Sequence, residues 1–300
     1  MGMVETVLHT TDLDRMGWLV KHLINENQIK LSSITYIHSE IEKIALAILS
    51  DGFYVGNEIL GPSLLELDSS WSSFHSFWRS LRTDNYMQDG GQYRKRSYST
   101  MYSHSNDVYK KPYMPLYKSN IYNNFAGNVS RYFDETDPML YENKHFKSAL
   151  TLALNTFNLC ESKLGNIQPQ WFIEIDQYRI VTENGVDGKP TPEGIHSDGT
   201  TYFLLLLVDR NNVEGGVSSI YDSEMNCVLT KKLTNPGDVM LINDTHMLHS
   251  VSDIKSTSEN GNRDILHISF TNLDSMSSVK RRWGLTQLDL ELFINLRGEV

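Results

Sequence analysis

Between residues 170 and 272 one pattern repeats: a short run of β-branched and apolar residues, then a turn signal. The runs are QWFIEIDQYRIV, TYFLLLLV, GGVSSIYD, CVLTKKL, GDVMLIN, LHSVSDI and RDILHISF. Seven short strands with no helix between them point to an antiparallel sandwich or barrel. A double-stranded β-helix, the cupin-like jelly roll, is the economical form of that closure.

Upstream the pattern is helical. HSEIEKIALAILSDGF carries Ile41, Ile44, Ala45, Ile48 and Leu49 at helical spacing, with Ser39 and Glu42 as a capping box and Gly52 as the stop. KHFKSALTLALNTFNLCESKLG repeats the arrangement with Phe146, Leu150, Leu154 and Phe157 along one side and Gly165 at the end. Residues 68 to 140, rich in Tyr, Ser, Asn and Trp, show no strong period and are expected to form short strands and ordered loops. Helices first and strands afterwards make the fold class α+β. The expected organisation is one domain over 1–300. A helical part, about 1–165, packs outside a β core, about 170–272, and a tail follows over 273–300.

Charge narrows the partners. Lys and Arg number 27 against 37 Asp and Glu, a formal net charge of -10 that opposes phosphate backbones, so nucleic acid is not expected. Cys160 and Cys227 are too few for a disulfide framework or a thiolate metal site, and a reducing, cytoplasmic setting fits. MGMVET satisfies the myristoylation pattern at Gly2, but no basic cluster follows, so the match is taken as chance; no leader or membrane span is expected.

PTPEGIHSDG places His196 and Asp198 two apart in an extended segment, where both side chains share one face. An imidazole and a carboxylate aimed at one point suit a metal. NDTHMLHSVSDI offers His246 and His249 as a third ligand; His249 is preferred because it lies in a strand run and His246 in a turn. Two histidines and one carboxylate with open positions form the facial triad of non-haem iron(II) oxygenases. His-x-Asp alone is common by chance and more often marks an ordinary hydrogen bond. Its company here is a Pro/Gly turn, a second histidine and a strand-borne arginine, Arg263, expected to pair as a hairpin with the His249 strand across KSTSENGN. Along RDILHISF, Leu266, Ile268 and Phe270 share one face, suited to packing under a helix, and Arg263, Ile265, His267 and Ser269 share the other. An inward arginine needs an anion, either a ligand carboxylate or an internal Asp or Glu.

These blocks, with RNNVEGG and the upstream DNYMQDGGQYRKRSYS, resemble the bacterial iron(II)/2-oxoglutarate dioxygenases that include the L-isoleucine hydroxylases, over roughly residues 80 to 272 and in matching order. The resemblance implies that His196, Asp198 and His249 bind Fe(II), and that Arg263 holds the distal carboxylate of 2-oxoglutarate. It further implies dioxygen as second cosubstrate and a free aliphatic L-amino acid as substrate. Such a substrate presents a carboxylate and an ammonium to be paired. Arg94, Arg96, Asp176, Gln177 and Arg179 are the candidates, Arg94 and Gln177 first, each weighed against a solvated or outward-facing position. His267, a core or supporting histidine, and Glu193 and Asn211, near the metal loop, complete the candidates; Gly215 and Gly216 suit a tight strand connection. A cupin-like metalloenzyme of another reaction type and a non-catalytic small-molecule binding module stay open beside the hydroxylase.

Overall fold

A computed structural model describes residues 31–56, 69–104, 107–118, 128–183 and 185–283. Gly2 and residues 284–300 lie outside these described residues. The described helices are α1 (Leu31–Asp51), α2 (Ser69–Ser76), α3 (Pro138–Glu142), α4 (Lys144–Lys163) and α5 (Met276–Trp283). The strands before residue 165 are β1 (Phe53–Gly56), β2 (Arg82–Thr83), β3 (Arg94–His104) and β4 (Asp107–Lys110). After it come β5 (Gln170–Glu183), β6 (Tyr202–Asn211), β7 (Val213–Gly215), β8 (Val217–Tyr221), β9 (Cys227–Lys232), β10 (Val239–Asn243), β11 (Leu248–Val251), β12 (Ile254–Ser256) and β13 (Asn260–Asn272).

β5 and β13 pair antiparallel from Glu183–Asn260 to Trp171–Asn272 and form the spine of the large sheet. Its order is β1-β10-β6-β13-β5-β3-β2, with β4 on β3; β11-β8-β9 and β12-β7 make the smaller, facing layer. This is the jelly roll that the strand pattern indicated. Period-2 alternation splits the large sheet into two faces. One carries Ile173, Ile175, Leu204, Leu206, Leu266, Ile268 and Phe270 against α1, α2 and α4, where Ile44, Ile48, Phe74, Phe146 and Phe157 are buried. The other carries Phe203, Leu207 and Ile265 against Ile220, Leu233 and Met247. That inner core is small, and polar side chains occupy much of the space between the sheets.

β6 holds one extra residue. Asp264 pairs with Asp209 and Ile265 with Leu207, so Val208 bulges. The carbonyls there are not wasted: Trp71 Nε1 donates to Val208 O at 3.1 Å and Trp78 Nε1 to Ile265 O at 3.0 Å. α2 and the turn after it therefore clamp the irregularity from outside.

Four sequence expectations need correction. α1 begins at Leu31, so Ser39 and Glu42 lie inside it rather than at its cap, where a Ser-x-x-Glu pattern finds no free backbone N–H groups to bind. Residues 68 to 140 contain α2, whose Trp71 and Phe74 recur at helical spacing among serines. β3 joins the sheet beside β5, so the first half of the chain does not merely pack outside the β core. The His249 strand, β11, pairs with β8, whereas β13 lies between β5 and β6; the connection crosses between the layers instead of closing a hairpin. Among the described residues no helix is long and apolar enough to cross a membrane.

Candidate metal centre

His196 and His249 are joined by a two-hydrogen-bond antiparallel bridge, N to O at 3.0 and 2.8 Å. The bridge sets the two rings 4.3 Å apart, centroid to centroid. Asp198, two residues on, brings its carboxylate to 3.9 Å from His196 Nε2 and 3.8 Å from His249 Nε2. One ligand atom from each of the three lies within 4.8 Å of the others. His196 Nδ1 donates to Gly194 O at 2.9 Å, which leaves the Nε2 lone pair for a metal. Burial, then the neighbouring His196, holds His249 well below its ordinary value, so it is the neutral imidazole that ligation requires. Burial would raise Asp198, but Lys118, His267 and His249 outweigh it and keep the carboxylate ionised. Lys118 Nζ is bonded to Asp198 Oδ1. A cation thus already stands at the carboxylate the two imidazoles approach, and the donor set fits a divalent metal of the iron class.

The loop bearing Asp198 is fixed by Asp244. Its carboxylate accepts from Asp198 N at 3.0 Å, Thr200 N at 2.8 Å, Ser197 Oγ at 3.0 Å and Thr200 Oγ at 3.1 Å. Arg281 ties the Asp244 carbonyl at 2.8 Å to α5. Phe203 closes the floor, 4.8 Å from the His249 ring and 5.0 Å from that of His267.

Arg263 stands on the cavity face of β13, opposite Ile180 and Arg210. It is 2% exposed, and Nε and Nη2 have no hydrogen-bond partner. Burial and Arg210 bring it down to about 9, with no carboxylate to offset them. The internal salt bridge considered from sequence is therefore absent among the described residues. Gly216 makes room beside the pair: a Cβ there would lie 2.9 Å from Arg210 Nη1 and 3.2 Å from Arg263 Cδ. A buried guanidinium with open donors fits the carboxylate of a 2-oxo diacid.

The other candidates divide by strand face. Asp176 and His267 face the cavity: His267 Nε2 is 3.4 Å from Asp198 and Nδ1 is 3.8 Å from Asp176. Arg96 is bonded to Asp176. Arg94 is also on this face, with Nε and Nη2 at 2.9 and 2.8 Å from Asp84. Gln177 is a correction. It pairs with Leu266 and Ser97 and lies on the helix-covered face, where Oε1 accepts from Ser97 Oγ at 2.8 Å. It is one residue out of phase with Asp176. Arg179 shares that face, 3.2 Å from Asp264. His246 is exposed, Glu193 reaches 3.5 Å from His196, and Asn211 ends β6 in an exposed position. At Gly215 a Cβ would meet Asp253 O at 2.1 Å, which accounts for glycine in that connection. Lys118, Arg131, Arg210 and Asp244 went unread in the sequence; of these only Asp244 had a local signal, its place in the NDTH turn beside a histidine candidate.

A family model described as 2OG-Fe dioxygenase matches residues 75–269. No curated protein matches the chain. Among solved structures it is similar to a bsmA homolog from Methylobium petroleophilum PM1, at 23% identity and TM-score 0.68 over 77% of this chain and 93% of that one. It is also similar to IDO from Bacillus thuringiensis, at 19% identity and TM-score 0.65 over 77% and 99% of the two chains. The Fe(II)/(alpha)ketoglutarate-dependent dioxygenase TqaL matches at 17% identity and TM-score 0.61 over 81% and 90%. At these identities the structures share the fold.

Proposed function

The chain belongs to the 2OG-Fe dioxygenase family, whose members use Fe(II), 2-oxoglutarate and dioxygen, and from that premise we propose that it hydroxylates an unactivated C–H bond of a free L-amino acid, aliphatic ones such as isoleucine or leucine first. In this reading His196, Asp198 and His249 hold the iron. Arg263 receives the distal carboxylate of 2-oxoglutarate. Iron with the two cosubstrates supplies the oxidising power to place one oxygen atom in the C–H bond, with 2-oxoglutarate leaving as succinate and carbon dioxide.

The chain's own work is positional. The His196–His249 bridge and the Asp244 anchor fix three ligands on two rigid elements. Phe203 and Ile265 keep the floor apolar, and ligands held in fixed positions let weak contacts set which C–H bond is presented. The observation that carries the reading is Arg263: a guanidinium 2% exposed, with two open donors, on the sheet face that also bears His267 beside Asp198. An acidic ligand relieves it. The resemblance of PTPEGIHSDG and RNNVEGG to the L-isoleucine hydroxylases supports the amino-acid substrate.

The test adds Fe(II) and 2-oxoglutarate without oxygen and reads the visible charge-transfer band of the chelate. The band is expected in wild type, lost in His249→Ala and weakened in Arg263→Ala. Succinate formed in oxygen on addition of an L-amino acid then tests the substrate class; no band in wild type overturns the site, and no amino-acid-dependent succinate overturns the substrate.

A further inference from the structure

Building on that reading, we propose that Arg131 receives the carboxylate of the amino-acid substrate. Arg131 forms a β-bridge with Leu116, N to O at 2.9 Å in both directions, which carries it into the wall that also bears Lys118. Its side chain is 2% exposed, and Nε and Nη2 are buried without a hydrogen-bond partner. An arginine is not left this way at no cost; the penalty falls away only when an anion arrives.

Among the described residues the surroundings supply no such anion. Arg94, Arg96 and Arg131 form one cationic group with two carboxylates near it, and both are committed. Asp84 is bound by Arg94 and also accepts from Tyr86 N at 2.9 Å; Asp176 is bound by Arg96. Arg96 cannot turn away, since its guanidinium is held between the rings of Phe133 and Tyr178, 4.1 and 4.7 Å from their centroids. Three guanidiniums against two carboxylates leave one positive charge: Arg96 Nε is also unpartnered, but Arg94 and Arg96 each hold a carboxylate, and Arg131 is the member without one among the described residues. Burial and the neighbouring Arg96 bring Arg131 down to about 10, in keeping with an uncompensated cation.

Position separates this site from the one at Arg263. Arg96, Asp176, His267 and Asp198 follow one another across the cavity, with His267 3.8 Å from Asp176 and 3.4 Å from Asp198. Arg263 lies further along β13, beside Arg210. The described residues thus include two buried arginines with open donors, Arg131 grouped with Arg94 and Arg96, and Arg263 beside Arg210. A diacid cosubstrate occupies one of them, and a substrate with its own carboxylate accounts for the other. A neutral substrate leaves Arg131 unexplained.

The experiment uses the full chain loaded with Ni(II), a redox-inert stand-in for iron, and 2-oxoglutarate. The proteinogenic L-amino acids, and the primary amide of each one that binds, are titrated by calorimetry into wild type, Arg131→Met and Arg131→Lys. Wild type is expected to bind at least one amino acid, and its amide at least about tenfold more weakly. Arg131→Met should lose about tenfold or more for the same amino acid, Arg131→Lys less, and 2-oxoglutarate affinity should not change in either. Melting temperature without ligand should be equal to or above wild type in Arg131→Met, which separates lost recognition from lost folding. Undiminished amino-acid binding by Arg131→Met, or equal binding of acid and amide, overturns the assignment. If wild type binds 2-oxoglutarate and no amino acid, Arg131 and the amino-acid substrate fall together while the cosubstrate site stands. If it binds neither metal nor 2-oxoglutarate, the family chemistry fails, and the same titration on metal-free protein still decides Arg131.

Discussion

Replacing Arg263 by Met should make the ligand-free protein more stable and deprive it of its cosubstrate. Burial with Arg210 alongside brings the guanidinium down to about 9, against an ordinary value of about 12.5 or more. Each pH unit corresponds to about 1.4 kcal/mol, so keeping the charge at neutral pH costs up to about 5 kcal/mol. Methionine keeps most of the stem and none of the charge, and exchanges of this kind return about 1–4 kcal/mol. For a chain of this size that is a rise in melting temperature of about 2–8 °C. The pH dependence has a definite sign. The folded value lies below the unfolded one, so the native state binds fewer protons across that interval and wild type gains stability as pH rises through it. The advantage of Arg263→Met is therefore full below about pH 9 and shrinks above it. Calorimetric melting at pH 7 and pH 10 reads this directly. Adding Ni(II) and 2-oxoglutarate should reverse the order, because ligand at about a thousand times its Kd stabilises wild type by about 4.1 kcal/mol and the variant hardly at all. A ligand-free Arg263→Met that melts below wild type would refute the reasoning, since it would mean that Arg263 has an internal partner.

Phe157→Ala removes a ring with 0% exposure, stacked 4.8 Å from Tyr202 and edge-on 5.0 Å from Phe270; urea unfolding should show a loss of about 3–5 kcal/mol, while turnover per folded molecule is kept because the helix face is remote from the cavity. Asp244→Ala frees two backbone N–H groups and two hydroxyls of the metal loop, and metal affinity by equilibrium dialysis should fall about 10–100-fold; an unchanged affinity would mean the loop holds its shape without that anchor. Burial would raise Asp176, but Arg96 outweighs it and brings the carboxyl to about 2. The depressed folded value means this contribution is present above about pH 4 and lost as pH falls toward 2, about 2 kcal/mol in all. Urea midpoints of wild type and Asp176→Asn should therefore differ most at pH 6, with the difference shrinking by about two-thirds at pH 2.5; a difference that does not change with pH would show that the Arg96 pair contributes nothing.

The second half of the chain was legible because its strands obey the period their environment imposes. Leu266, Ile268 and Phe270 read as one face and Arg263, Ile265 and His267 as the other, and both faces are where the sequence put them. The helices at α1 and α4 were legible for the same reason, though α1 starts earlier than its Ser-x-x-Glu suggests. β3 escaped because its inward set is Arg94, Arg96 and Tyr98; alternation is present, but charged residues on the buried side look like a solvated run. Gln177 was placed on the wrong side of the sheet because nothing in EIDQYRI says which of Asp176 and Gln177 faces in. The hairpin failed because adjacency in sequence is a poor guide where strands alternate between two layers. Lys118 and Asp244 meet Asp198 across 80 and 46 residues, and no local spacing records such a contact.

The bulge at Val208 decides what stands opposite Arg263. With a straight ladder, Asp209 would sit there and neutralise it; with the extra residue, Arg210 does. In the proposed reading, one register step thus separates a cavity that recruits an outside acid from one already self-neutralised. The step is pinned by the indole N–H groups of Trp71 and Trp78 on the far side of the sheet, which donate to the carbonyls at the irregularity. The cavity's appetite for an acid is therefore stored partly in two side chains that touch neither metal nor ligand, and a slip they failed to prevent would silence it without altering a single cavity residue.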